Sequence, residues 1–270
     1  MLETIKAQLL AIYSECRHIS AQQILDDQQD PFCRQMETLN RLATLDVDDH
    51  QVDALVADKA LKPVIEKIAA LKQIHGLRLE RQRAAAIIGS RNPWETLKGF
   101  VYYPNYLQLA EMEFRGAELS ADELVVFLGS GPVPFSLISM VRRYAVTGVG
   151  IERDPFNADL SLQVIDRLQL GGKIEILLGD HYTLPLSRYC NLVMVGADAT
   201  PKEEIFAHLA RTLPAEMKLS FRIYEKGLRR LFDRDHFGGL PHPLKEYRRI
   251  RPQPPVNNTS VFVVKEETHG

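Results

Sequence analysis

Cysteine is scarce in this 270-residue chain: Cys16, Cys33 and Cys190 are odd in number and far apart. With no CxxC pair they suggest neither a disulfide framework nor a zinc site, and are expected to be buried small side chains. The eight histidines show no HExxH or comparable ligand spacing, so no permanent metal is predicted. An excess of one charge is lacking too. Lys and Arg total 33 against 35 Asp and Glu, for a net charge of −2, so neither nucleic acid nor a membrane is expected as a partner. The stretch Arg248–Arg251 is short enough for a solvated face. No apolar segment approaches the ~20 residues of a membrane span. Met1–Leu10 carries a helical pattern rather than a signal-peptide core, which points to a cytoplasmic protein. Internal repeats, low-complexity blocks and charged tails are missing as well. What is present, 45% hydrophobic residues, suffices for the core of one large or two modest domains.

The most informative segment is Phe127–Pro134, FLGSGPVP. The apolar run Leu124–Leu128 is continuous rather than alternating, as in a parallel strand covered on both faces. It ends at Gly129-Ser130-Gly131, where glycines allow a tight turn and close approach to a ligand. From Phe135 the spacing of Leu137, Ile138, Val141 and Tyr144 is helical, so the first-turn amides are expected to open into the same crevice. The third glycine of the dinucleotide pattern is absent, and Pro132 and Pro134 disfavour a pyrophosphate cradle. A smaller adenosyl ligand is preferred over a dinucleotide, and an ordinary strand-to-helix turn is the alternative.

Five further strands are predicted: Val146–Ile151, Lys173–Leu178, Asn191–Val195, Met217–Tyr224 and Ser260–Lys265. Strands alternating with helices predict an α/β fold, an open Rossmann-like, mostly parallel sheet with helices on both faces. Pro252, Pro254, Pro255 and Asn257-Asn258 leave no helix of crossover length before the last strand, which is expected to be antiparallel. Glu152 ends the second strand, where a carboxylate accepts both ribose hydroxyls, and Asp154-Pro155 is a good helix start. Asp180 accepts from an adenine amino group or serves as a turn residue. Ala197 lies in Gly196–Pro201, which opens another helix at the sheet's carboxyl edge.

Residues 1–117 show no convincing strand. Stripes at Ile5, Leu9 and Ile12, at Leu39, Leu42 and Leu45, and at Val64, Ile68 and Leu71 predict a helical cap domain, followed by the sheet domain over 118–270. Glu80 falls on an apolar face with Ile74, Leu77, Ala84 and Ile87. Burial there raises its pKa toward that of a general base, unless Arg81 or Arg83 pairs with it. The dense aromatics Phe100, Tyr102, Tyr103 and Tyr106 suit a packed interface or hydroxyls directed at a ligand.

The segment PWETLKGFVYYPNYLQLAEMEF, the loop FLGSGPVP, RIYEKGLRRLF and VNNTSVFVVK together resemble nicotianamine synthases, in order from about Glu80 to Lys265. The last two resemble archaeal members. In length the chain resembles the bacterial opine-metallophore enzymes, which transfer one aminobutanoyl unit to histidine. The resemblance implies S-adenosylmethionine as co-substrate, methylthioadenosine as by-product and a small-molecule amino-acid acceptor, with histidine favoured. It implies Glu80 as the base and Tyr106 as the residue orienting the acceptor amine. It also implies substrate contacts from Tyr103, Asn105 and Tyr224, and Arg222 either pairing with a substrate carboxylate or serving the fold. Gly129, Ser130, Gly131, Pro132, Glu152, Asp180 and Ala197 would then line the adenosyl site. Repeated aminobutanoyl transfer, methyl transfer to a small amine, and ligand sensing without turnover are the competing functions. Any metal would be bound by the eventual product, and a homodimer is compatible with the sequence.

Overall fold

The computed structural model describes residues 1–26, 30–185, 190–225, 227–232, 239–253, 256 and 258–266. Pro254, Pro255 and Asn257 of the predicted turn-rich approach lie outside them. The chain forms two compact units, Met1–Leu79 with Tyr224–His236, and Glu80–Ile223 with Phe237–Gly270.

In the first unit are α1 (Leu2–Cys16), α2 (Ala21–Leu25), α3 (Asp30–Ala43), α4 (Asp49–Ala57) and the first part of α5 (Lys62–Gly89). Ser20 caps α2 through a capping box with Gln23, and the Asp48 carboxylate accepts from His50 N–H at the start of α4. The predicted stripes meet in one core of Ile5, Leu9, Ile12, Leu39, Leu42, Val64, Ile68 and Leu71. Leu45 is the exception and is exposed. Leu228 and Leu231, from a 3-10 turn at Gly227–Phe232, complete that core. Cys16 and Cys190 are buried as expected and desolvation pushes both thiols up to about 11, whereas Cys33 is only partly buried.

The second unit begins within α5 and continues with α6 (Pro93–Lys98) and α7 (Tyr103–Gly116). Then follow β1 (Leu124–Leu128), α8 (Phe135–Tyr144), β2 (Thr147–Glu152), α9 (Pro155–Arg167), β3 (Ile174–Leu178), β4 (Leu192–Val195), α10 (Lys202–Thr212), β5 (Lys218–Ile223), β6 (Leu244–Ile250) and β7 (Thr259–Lys265). The sheet order is β3-β2-β1-β4-β5-β7-β6. The first five strands are parallel, and β7 joins β5 antiparallel as predicted. Every predicted strand is present with each end within one residue of its expected position. β1 and β4 are almost wholly buried, which is why their sequences are continuous apolar runs.

Two features of the architecture also differ from the sequence expectation. Strand β6, LKEYRRI, escaped prediction because it is an edge strand exposed along most of its length and needs no apolar face. Its arginines at 248 and 249 pair with the Phe262 and Val261 positions of β7. The boundary expected at residue 117 falls instead between Leu79 and Glu80. The physical reason is packing: Gly116 at the end of α7 lies so close to the fully buried Phe262 ring of β7 that a Cβ would not fit, so α7 belongs with the sheet.

Candidate active site

The strand order changes direction at β1, which lies between β2 and β4, and open α/β sheets place their ligand region at such a switch point, beyond the carboxyl ends of the strands. The loop after β1 enters it with Gly129 at φ +77° and Gly131 at φ +72°, left-handed conformations that favour glycine. Gly129 N–H and Ser130 N–H both donate to Ile151 O, at 2.8 and 3.1 Å, fixing the turn to the end of β2. Pro132 is buried, and Ser130 Oγ is buried without a hydrogen-bond partner among the described residues. The first-turn amides of α8 are less open than expected, because Phe135 N–H already donates to Val133 O at 2.7 Å.

Glu152, at the end of β2, is 7% exposed. One carboxylate oxygen accepts from Gly131 N–H and the other from Asp154 N–H, both at 2.9 Å. The two bonds hold the carboxylate in place and leave lone pairs for the adjacent hydroxyls of a ribose. Asp154 caps α9, as expected, by accepting from Asn157 N–H at 3.0 Å. Asp180 Oδ1 accepts from Tyr182 N–H at 2.9 Å in the bend after β3, a contact of the kind a turn residue makes. Ala197 contributes its carbonyl to the buried Lys202 ammonium at 2.6 Å.

Glu80 begins the part of α5 that belongs to this unit. Among the described residues the alternative, an ion pair with Arg81 or Arg83, does not form. Arg81 instead donates to Asn157 Oδ1 at 2.8 Å and Asp154 Oδ2 at 3.3 Å, and Arg83 donates to the carbonyls of Thr96 and Gly99. Glu80 receives the Tyr106 hydroxyl on Oε1 at 2.8 Å. Its other oxygen lies 3.1 Å from where a Cβ on Gly131 would stand. A helix carboxylate and a nucleoside-type loop are therefore in direct proximity. Desolvation pushes the Glu80 carboxyl up to about 7, the Tyr106 bond works against that rise, and the charges of Asp198 and Glu152 add to it. Burial and the neighbouring Glu80 hold the Tyr106 phenol well above its ordinary range, so it remains a donor. Tyr106 is stacked almost parallel on Phe135 at 4.7 Å, and Phe100 on the same ring at 4.8 Å.

The remaining candidates divide. Tyr103 is buried, and Asn105 Oδ1 is buried without a partner among the described residues. The bidentate edge of Arg222 is taken by Glu113, Nε to Oε1 at 2.9 Å and Nη2 to Oε2 at 2.7 Å, with Ser136 Oγ also accepting from Nη2 at 2.8 Å. Of the two roles open to Arg222, these contacts suit the one that serves the fold. Tyr224 belongs to the helical unit, where Lys72 Nζ stands 5.6 Å from its ring centroid. Sequence reasoning passed over Asp198, Glu113, Phe135 and Ser136 as site-shaping residues. Glu113 carried a usable signal: like Glu80 it is a carboxylate on an apolar helix face, beside the buried Leu109, Ala110 and Gly116.

The reversed strand order, the paired-glycine loop and the carboxylate closing β2 define a Rossmann-like α/β protein of the S-adenosylmethionine-dependent type. The model of the family described as "Nicotianamine synthase protein" matches residues 2–269, and the chain belongs to that family. It is similar to the crystal structure of MtNAS in complex with MTA and tNA, with TM-score 0.83, 26% identity and 97% of each chain covered. A glutamate-to-glutamine variant of MtNAS in complex with S-adenosylmethionine is similar at TM-score 0.80 and 25% identity, covering 98% of both chains. An L-histidine 2-aminobutanoyltransferase from Yersinia pestis is 22% identical over 238 residues, 86% of this chain and 85% of that protein. Among the described residues no helix is long and apolar enough to cross a membrane.

Proposed function

We propose that this protein transfers the 3-amino-3-carboxypropyl group of S-adenosylmethionine to the amine of an amino-acid acceptor, histidine in the favoured reading, and releases methylthioadenosine. The observation that carries the proposal is the Glu80–Tyr106 pair, 2.8 Å apart, with Glu80 against Gly131 of the loop. The loop and Glu152 suit the adenosyl moiety: the glycines remove the side chain that would obstruct it, and the carboxylate matches a ribose diol. The sulfonium supplies electrophilic carbons and a neutral thioether as leaving group.

An acceptor ammonium has no lone pair and cannot attack. Glu80, held near neutrality, accepts its proton, and the Tyr106 hydroxyl fixes the carboxylate that does so. The amine nitrogen then forms a bond to the methionine γ-carbon as the carbon–sulfur bond breaks, with the electron pair going to sulfur. In-line placement of the amine on the γ-carbon, rather than the methyl, selects the product. Similarity to the Yersinia pestis L-histidine 2-aminobutanoyltransferase supports histidine as acceptor. Similarity to MtNAS with tNA over 97% of both chains supports a second reading, repeated aminobutanoyl transfer of the nicotianamine type.

Incubation with S-adenosylmethionine and L-histidine, D-histidine or glutamate separately, followed by mass analysis, tests both. Methylthioadenosine with a singly alkylated histidine is the expected result. S-adenosylhomocysteine as by-product would overturn the reaction class, and products carrying several aminobutanoyl units would favour the second reading.

A further inference from the structure

The buried triad Glu113–Arg222–Ser136 has no part in the proton or group transfer above, yet its charges are 2% and 6% exposed. Desolvating such a pair is expensive, so its presence calls for an explanation beyond stability. Glu113 and Tyr106 are both on α7, seven residues apart and hence on one face of the helix. Ser136 directly follows Phe135, the ring stacked on Tyr106 at 4.7 Å. Arg222, near the carboxyl end of β5, grips both helices at once: Glu113 on α7 by two bonds and Ser136 on α8 by a third.

We propose that Glu113, Arg222 and Ser136 are positioning residues, which lock α7 and α8 to the carboxyl end of β5 so that the Tyr106 hydroxyl is presented to Glu80. A guanidinium suits this task because its planar fork satisfies a carboxylate bidentately while a further N–H reaches a hydroxyl. The Arg222 charge also works against the rise of the Tyr106 phenol, keeping it a better donor toward Glu80.

This inference rests on the catalytic reading of Glu80 and Tyr106, and two independent readouts separate the failures. The variants are Glu113→Gln, Arg222→Met and the double Glu113→Leu/Arg222→Met, in which an apolar pair replaces the ions and preserves folding. In the transfer assay each should lower kcat about tenfold or more while KM for S-adenosylmethionine changes little. The double should be no worse than the poorer single, because all three break one device. In 13C NMR of carboxyl-labelled glutamate, the Glu80 titration should move upward by about half a pH unit or more, as weakening of the Tyr106 bond removes a stabiliser of its carboxylate. Wild-type kcat and an unmoved Glu80 titration in the folded double variant would overturn the proposal. So would Arg222→Met weakening S-adenosylmethionine binding while Glu113→Gln leaves it intact, since that outcome makes Arg222 a substrate ligand. Wild-type protein that releases no methylthioadenosine sinks the transferase reading alone, and the NMR titration still decides the positioning role.

Discussion

Glu80 ties stability and activity to pH in opposite directions. Its folded pKa, about 7, lies above the ordinary carboxylate value of 4.5, with Tyr106, Asp198 and Glu152 as its interacting neighbours. Below pH ~4.5 the carboxyl is neutral whether folded or unfolded, and burial carries no charge penalty. Between pH ~4.5 and ~7 the unfolded carboxyl ionises while the buried one resists, so stability falls, by roughly 3 kcal/mol in all, and levels off above 7. Activity runs the other way, because only the deprotonated carboxylate accepts a proton. kcat/KM is therefore expected to rise with pH to a midpoint near 7. Glu80→Gln should abolish transfer, retain S-adenosylmethionine binding and melt at a higher temperature than wild type at pH 8, as calorimetry and the product assay together would reveal. Retained turnover would falsify the assignment. Tyr106→Phe removes the bond that opposes the rise, so the kinetic midpoint should move to higher pH.

At the scale of elements, the loop and α7 are fixed by what a glycine allows. Gly131 combines φ +72° with Glu80 Oε2 at 3.1 Å from a would-be Cβ. Gly131→Ala should therefore strain the turn, displace the base and depress both cofactor affinity and kcat. Gly116 is a packing case: an added Cβ would lie 2.0 Å from Phe262 Cζ. Gly116→Ala should cost about 1–3 kcal/mol by overpacking, read as a lowered Tm, and Phe262→Leu in the same chain should recover part of it. Elements with a buried face were legible in sequence, since β1 and β4 cannot be solvated and remain apolar throughout. Strand β6 was not, because an edge strand that meets water is free to be Lys-Glu-Tyr-Arg-Arg.

For the whole molecule, any ligand that binds only the folded state must stabilise it. S-adenosylmethionine at ~100 times its Kd adds about 2.7 kcal/mol, or some 5–10 °C in Tm for a chain of this size. Methylthioadenosine should give a shift of the same sign, and the absence of any shift with both would refute an adenosyl site.

The sequence by itself determined the fold class, six of the seven strands, the adenosyl-type loop and the suspicion attached to Glu80. These follow from local rules: strand periodicity, glycine at a tight turn, and the cost of a carboxylate on an apolar face. Tertiary structure decided which partners those residues take. It gave Glu80 to Tyr106 and not to Arg81 or Arg83, gave the Arg222 fork to Glu113, and set α7 against the sheet rather than with the first helices. The reason is physical. A side chain's environment is set by groups 26 to 109 residues away, and proximity of that kind is written in packing, not in the neighbouring letters of the chain.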